Sequence, residues 1–271
     1  NGQVQIGRYW RLTYSASGRS EAELADELAA LLQDATRIRL MSEVPLGAFL
    51  SGGLDSSSIV AMMARSSDRP VKTFSIGFSN STYNELPYAR TIAARFQTEH
   101  HEEIITPDAV RLTERIVWQL DEPFGDFSVF PTLMVSEMAR KHVTVILSGD
   151  GGDELLAGYD TYLADRTARK AGWLPAAWRR RLLDPLVLSL PPTEKKKGLI
   201  NKARRFVEGL RLPADLQHVR WMIFMQQLEK QQLYRPEILQ AIAGHDPYDF
   251  IRAAFQDCTS TIPLDQQEYV D

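Results

Sequence analysis

The chain has 271 residues, 44% of them hydrophobic and 24% charged, and a formal net charge of -4. So much apolar material supports a full core and excludes disorder, and a pI near 5.8 gives no electrostatic footprint for nucleic acid or an anionic membrane surface. The lone Cys258 excludes an internal disulfide and reads as a buried thiol; with no apolar run of membrane-spanning length and no leader pattern, a cytoplasmic small-molecule role is expected.

Residues 3–14 alternate well enough for a strand or extended linker, and Ser15-Ala16-Ser17-Gly18 ends them. A helix should follow. Ser20 and Glu23 have capping-box spacing, and Leu24, Leu28, Leu31, Leu32, Ala35 and Ile38 recur at helical intervals, predicting one buried face. A first strand is expected at about 47–51, a helix from Ser56, and a second strand from Val71 to Phe78. Pro87 suits the first turn of the next helix. A third strand is expected at His101–Ile105, then a helix opened by Thr106-Pro107 with Val110, Ile116, Val117 and Leu120 on one side, and another over Val129–Lys141. Val143–Leu147 is β-branched and continuous, as expected of a strand buried on both faces.

Alternating strands and helices with crossovers of this length predict a doubly wound parallel α/β sheet. Beyond residue 160 the pattern turns helical, with Leu174–Leu190 and Leu199–Leu210 as candidate helices and the charged run 194–197 as a solvated loop. The expected organisation is therefore an extended segment at 1–18, an α/β core at 19–160 and a helical part at 161–271. With no initiator Met and polar residues at both ends, the chain reads as a piece of a longer polypeptide.

Two of the expected strands end in glycine-rich loops. The first, Leu50-Ser51-Gly52-Gly53-Leu54-Asp55-Ser56-Ser57, offers glycines for close approach of an oxyanion, hydroxyl donors and a helix start with unpaired N–H groups. It is a phosphate cradle, though no G-x-x-x-x-G-K-[ST] occurs in the chain. Asp55 would repel a bound phosphate unless a cation lay between them, which implies Mg²⁺; the plain alternative is that Asp55 or Ser56 only caps the helix. The second loop, Ser148-Gly149-Asp150-Gly151-Gly152-Asp153-Glu154, carries three carboxylates. Ligands of open α/β sheets bind beyond the strand carboxyl ends where the winding reverses, so the two loops should face one crevice. Asp153 is then the second candidate Mg²⁺ ligand, a role compatible with its capping the next helix. His100 and His101 are adjacent on a strand and so point to opposite faces, which argues against a metal site there.

The S-G-G-L-D-S-S loop resembles the pyrophosphate loop of the N-type ATP pyrophosphatases, and among them the synthetase domain of glutamine-hydrolysing asparagine synthetases. The similarity extends through Val44-Pro45-Leu46-Gly47, Thr73-Phe74-Ser75-Ile76-Gly77-Phe78 and Leu147–Glu154, covering at least residues 40–160. It implies an adenine nucleotide alpha-hydrolase-like fold and ATP and Mg²⁺ as the small molecules bound. It also implies an AMP-forming reaction, in which the side-chain carboxylate of aspartate or a similar acid becomes an acyl-adenylate for attack by ammonia. By the same resemblance, Ser51, Gly52, Gly53, Leu54, Asp55, Ser56 and Ser57 bind ATP, the Leu50 backbone and the Ile76 side chain contact adenine, and Ser148 and Gly149 bind AMP. Asp150, where the family often has Glu, and Gly149 serve the acyl substrate or the amine. The segment Asp121-Glu122-Pro123-Phe124-Gly125-Asp126, with Ser128 and Pro131-Thr132, resembles one near the aspartate pocket; read as plain residues, its acids are as readily solvent-facing. In the family, ammonia comes from a glutaminase domain absent from this sequence, and a homodimer is compatible with the resemblance. Lactam-forming or peptide-cyclising relatives, and a non-catalytic nucleotide-binding module, are the alternatives.

Overall fold

A computed structural model describes residues 2–15, 17–106, 108–122, 124–170, 178, 181, 184–191, 193, 198–223, 227–246 and 248–270. The chain divides into two compact units, one of residues 18–152 and the other of residues 1–17 with 153–271.

The first unit is built on a parallel sheet of β1 (Leu46–Phe49), β2 (Lys72–Phe78), β3 (Glu99–Ile105) and β4 (Val145–Leu147), in the order β3-β2-β1-β4. Both central strands bury their middles: Ala48 in β1 and Phe74 and Thr73 in β2 have no exposed surface. Side-chain alternation along β1 feeds two separate cores. On one face Ala48 and Leu50 meet Val60 and Met63 of α2 (Leu54–Arg65) and Ala89 and Ala93 of α3 (Leu86–Phe96). On the other, Phe49 packs with Phe74, Val135, Met138 and Ala139, the last three from α5 (Val129–Arg140). Helices on both faces make the sheet doubly wound, as the sequence predicts. A fully buried Phe or Leu in such a core contributes about 1.5–3 kcal/mol.

Several local expectations hold. Helix α1 (Glu21–Arg39) opens on the Ser20–Glu23 capping box, with the Ser20 N–H donating to Glu23 Oε2 at 2.8 Å and the Glu23 N–H to Ser20 Oγ at 3.4 Å. Pro87 lies in the first turn of α3, where a missing N–H leaves no bond unmade. The sequence missed others. Helix α2 begins at Leu54, two residues before the expected Ser56, and its N-cap is Gly53 with no side-chain cap, so neither Asp55 nor Ser56 caps it. Strand β4 is an edge of the sheet with Val145 39% exposed, because among the described residues only β1 pairs with it. In α4 (Ala109–Leu120), Ile116 is buried but Val117 is exposed, and Pro107 lies outside the described residues. The apolar stripe of α1 is exposed at Leu24, Leu28, Leu31 and Ile38 and half-buried at Leu32 and Ala35, while Gln33 donates to the Met62 carbonyl of α2 at 3.1 Å. Edge strand β3 carries Glu99, Glu102 and Glu103, charges that blunt an open edge against pairing with other chains.

In the second unit, residues 2–15 are without regular structure rather than a strand. The remainder is helical: α6 (Gly152–Leu155) at the border, α7 (Asp160–Lys170), α8 (Asp184–Ser189), α9 (Leu199–Gly209), α10 (Gln217–Met222), α11 (Gln227–Leu233), α12 (Pro236–Ile242), α13 (Asp249–Asp257) and α14 (Pro263–Val270). The front of the expected Leu174–Leu190 helix and the run 194–197 lie outside the described residues. A small core of Ala168, Leu210 and Trp221 joins α7 to the α9–α10 pair, and Phe206 stacks on Trp221. Among the described residues no helix is long and apolar enough to cross a membrane.

His100 ties the sheet to pH. Its Nδ1 lies 2.9 Å from the Thr73 hydroxyl, and burial pushes its pKa down, opposed in part by Glu102. A histidine with a depressed folded-state pKa adds stability above the unfolded value near 6.5 and loses it as pH falls through the folded value. Urea unfolding at pH 7.5, 6.5 and 5.5 should show stability dropping toward acid, with a shallower drop in His100→Asn.

Candidate active site

The winding of the sheet reverses between β1 and β4, which are adjacent and parallel, with Ala48 opposite Leu147. Their carboxyl-terminal loops therefore start side by side, as the sequence predicts. The loops touch closely. A Cβ on Gly149 would lie 2.7 Å from the Asp55 carbonyl carbon and the Ser56 nitrogen, and one on Gly152 would lie 2.7 Å from the Asp55 carboxyl. Any larger residue at either position would push the second loop off the first turn of α2.

The first loop is braced from within. Ser51 Oγ and Ser56 Oγ are 2.9 Å apart, the Gly53 N–H donates to Ser51 Oγ at 3.1 Å, and Ser56 Oγ donates to the Gly53 carbonyl at 3.3 Å. Gly52 has φ +82, and a Cβ there would meet the backbone of Tyr88 and Ala89 at 2.5 Å, so the turn is seated on the start of α3. With no side chain capping α2, its first N–H groups and positive dipole end are presented beside this turn. Leu54, in the same first turn, is 81% exposed. The Ser57 hydroxyl is enclosed with no hydrogen-bond partner among the described residues. Asp55 sits in that first turn with its carboxyl against Gly152, and no hydrogen bond or ion pair engages it among the described residues. A hard, acceptor-only carboxylate beside open N–H groups suits an oxyanion together with an oxygen-seeking cation.

Leu50 is buried, and its backbone is already engaged: its N–H donates to the Phe74 carbonyl at 2.9 Å and its carbonyl accepts from the Ser75 hydroxyl. Ile76 packs against the Phe74–Val135 cluster on the α5 face. In the second loop Ser148 Oγ donates to Asp150 Oδ2 at 2.8 Å, which fixes that carboxylate at the exposed tip, and Gly151 turns the chain with φ +88. Asp153 opens the helical unit; its carbonyl accepts from the Gly158 N–H at 2.9 Å, and Glu154 Oε1 accepts from the Tyr159 hydroxyl at 2.5 Å. In the 121–126 segment the Asp121 backbone ends α4 in a left-handed turn, and Asp126 Oδ1 accepts from the Ser128 N–H at 2.9 Å. Pro123 lies outside the described residues. The same segment borders a hollow of about 1060 Å³ lined by Trp118, Phe124, Phe127 and Phe130.

Gly152 as the seat of Asp55, Tyr88–Ala89 as the backing of Gly52, and Ser75 as the anchor of Leu50 are contacts that sequence reading missed. Only the shared glycine-richness of loops after neighbouring strands hinted at the first of these.

The family profile for Asparagine synthase matches residues 27–245. The chain belongs to the asparagine synthase family. It is 49% identical over 157 residues to a putative glutamine-hydrolysing asparagine synthetase of Methanocaldococcus jannaschii, a match covering 57% of this chain and 30% of that protein. It is 29% identical over its whole length to a Bacillus subtilis glutamine-hydrolysing asparagine synthetase, of which it covers 41%. It is also 30% identical over 74% of its length to a Penicillium rubens protein named amidase chyE, of which it covers 31%. The chain thus spans less than half the length of these relatives.

Two glycines of this family member should separate by geometry. Gly149→Ala forces its methyl into the Asp55 backbone and should cost about 1–3 kcal/mol of stability. Gly53→Ala meets only the Ser51 hydroxyl, at 3.2 Å, and should be mild. Thermal unfolding of the two variants provides the comparison.

Proposed function

We propose that the chain is the ATP-dependent, AMP-forming amide-ligase domain of an asparagine synthetase. The observation that supports this most directly is the contact of the Gly149 and Gly152 backbone with the Asp55 turn, which sets two glycine loops side by side at one uncapped helix start. Family membership adds the reaction class.

In this reading the loop from Ser51 to Ser57, with the N–H groups of α2, holds the ATP phosphates, while Ser148 and Gly149 hold the AMP portion. An oxygen of the aspartate side-chain carboxylate attacks the α-phosphorus; the bond from that phosphorus to the bridging oxygen breaks, and pyrophosphate leaves. The nitrogen of ammonia then attacks the acyl carbon, the carbon–oxygen bond to AMP breaks, and a proton from the nitrogen passes to a nearby base. Asp150, held at the loop tip by Ser148, is the proposed acceptor of that proton. Asp55 would hold Mg²⁺, whose contribution is neutralising phosphate charge. The loops bind and align, and the backbone N–H groups offset charge as it develops on phosphate oxygen. The hollow beside Phe124 and Phe127 is the proposed entry for the carboxylate substrate.

The likeness to a relative named an amidase supports one second reading, in which the acid activated is not aspartate. The experiment that separates the two is ATP–pyrophosphate exchange with a panel of carboxylates. Exchange dependent on aspartate is expected, and exchange only with another acid would remove the aspartate assignment. Calorimetry of Mg·ATP with Asp55→Ala should show affinity lowered at least about tenfold; unchanged affinity would sink the metal role of Asp55.

A further inference from the structure

In the helical unit, away from the glycine loops in sequence, a hollow of about 280 Å³ opens between α9 and α10. Its wall is one face of α9, since Asn201, Arg204, Arg205 and Glu208 follow the i, i+3, i+4, i+7 spacing of a helix stripe. Arg220 of α10 and Ile223 complete it. Three guanidinium groups thus face one carboxylate.

That carboxylate is already committed. Glu208 Oε2 accepts from Arg220 Nη2 at 2.6 Å, and Arg220 Nη1 donates to the Ile223 carbonyl at 3.2 Å. Arg220 is only 8% exposed, and its Nε has no partner among the described residues. Arg205 donates Nη2 to the Trp221 carbonyl at 2.6 Å, and Arg204 donates to the carbonyls of Leu188 and Leu190. Among the described residues neither Arg204 nor Arg205 has a carboxylate partner. Carbonyl contacts satisfy hydrogen bonds but supply no opposite charge. Burial, and then the like charge of Arg220, hold Arg205 below the usual guanidinium range, opposed in part by Glu208.

Each guanidinium carries five N–H donors, of which these contacts use only a part. Three guanidinium charges share this hollow with the single Glu208 carboxylate, so positive charge is in excess there, and an anion entering it would offset the mutual repulsion. The walls come from two helices, so the donors converge from different directions, which favours a compact ion with several acceptor oxygens over a planar carboxylate. The hollow has room for such an ion and not for a folded peptide.

We propose that the α9–α10 hollow is a binding site for a small oxyanion of the phosphate class, held by Arg204, Arg205 and Arg220 and opposed by Glu208. It shares no residue with the glycine loops and does not depend on the reaction proposed for them.

The test is titration of inorganic phosphate into the 271-residue chain, followed by calorimetry and by the shift in thermal midpoint. Saturable binding is expected, weakened about tenfold or more in Arg205→Gln and tightened several-fold in Glu208→Gln, where the competing negative charge is gone. Because the glycine loops can also bind phosphate, binding that is the same in the wild type and in both variants places the ion there and overturns the proposal. Absence of saturable binding overturns it as well. Far-UV circular dichroism checks that Arg205→Gln keeps its helices; if it does not fold, Glu208→Gln decides, and unchanged affinity in that variant refutes the site.

Discussion

The candidate site depends on one close approach, that of the Gly149 and Gly152 backbone to the first turn of α2 at Asp55. A methyl group at either glycine would lie within 2.7 Å of Asp55 atoms, so the contact exists only because both positions lack a side chain. It places a carboxylate and an uncapped helix start beside a second glycine turn. Without that approach the chain would hold two separate glycine loops.

The sheet exists in its present order to make the approach. With β1 and β4 adjacent and parallel, both loops leave the same edge at the same level, and the cores on the two faces hold the strands in register. Seating Gly52 on Tyr88 and Ala89 adds a third fixed point, since α3 is itself packed through Ala89 and Ala93. Ser75 does similar work from β2 by accepting no freedom in Leu50: its hydroxyl binds the Leu50 carbonyl just before the turn. Preorganisation of this kind is what charge stabilisation in phosphoryl chemistry requires, because the donors need not move as the reaction proceeds.

Much of this was legible along the chain. The Ser20–Glu23 box, Pro87 at a helix start and the two glycine loops were readable because each depends on neighbours within a few residues. The parallel sheet followed from the alternation of apolar runs with helix-length segments. Burial was read less well. Leu24, Leu28 and Leu31 of α1 keep an amphipathic spacing yet remain exposed, and Val143–Leu147 looks like a central strand yet lies at an edge. In both cases a pattern reports what a segment could bury, and only its neighbours decide what it does bury.

The sequence by itself determined the elements, their parallel α/β order, the chemistry of the two loops and the family they resemble, since these follow from local preference, spacing and motif. Tertiary structure alone decided that Gly152 seats Asp55, that Ser148 holds Asp150, and that three arginines from two helices share a hollow with one acid. Such contacts join residues far apart in the chain, or turn on where a side chain points. Their existence depends on distances of a few ångströms that no periodicity encodes.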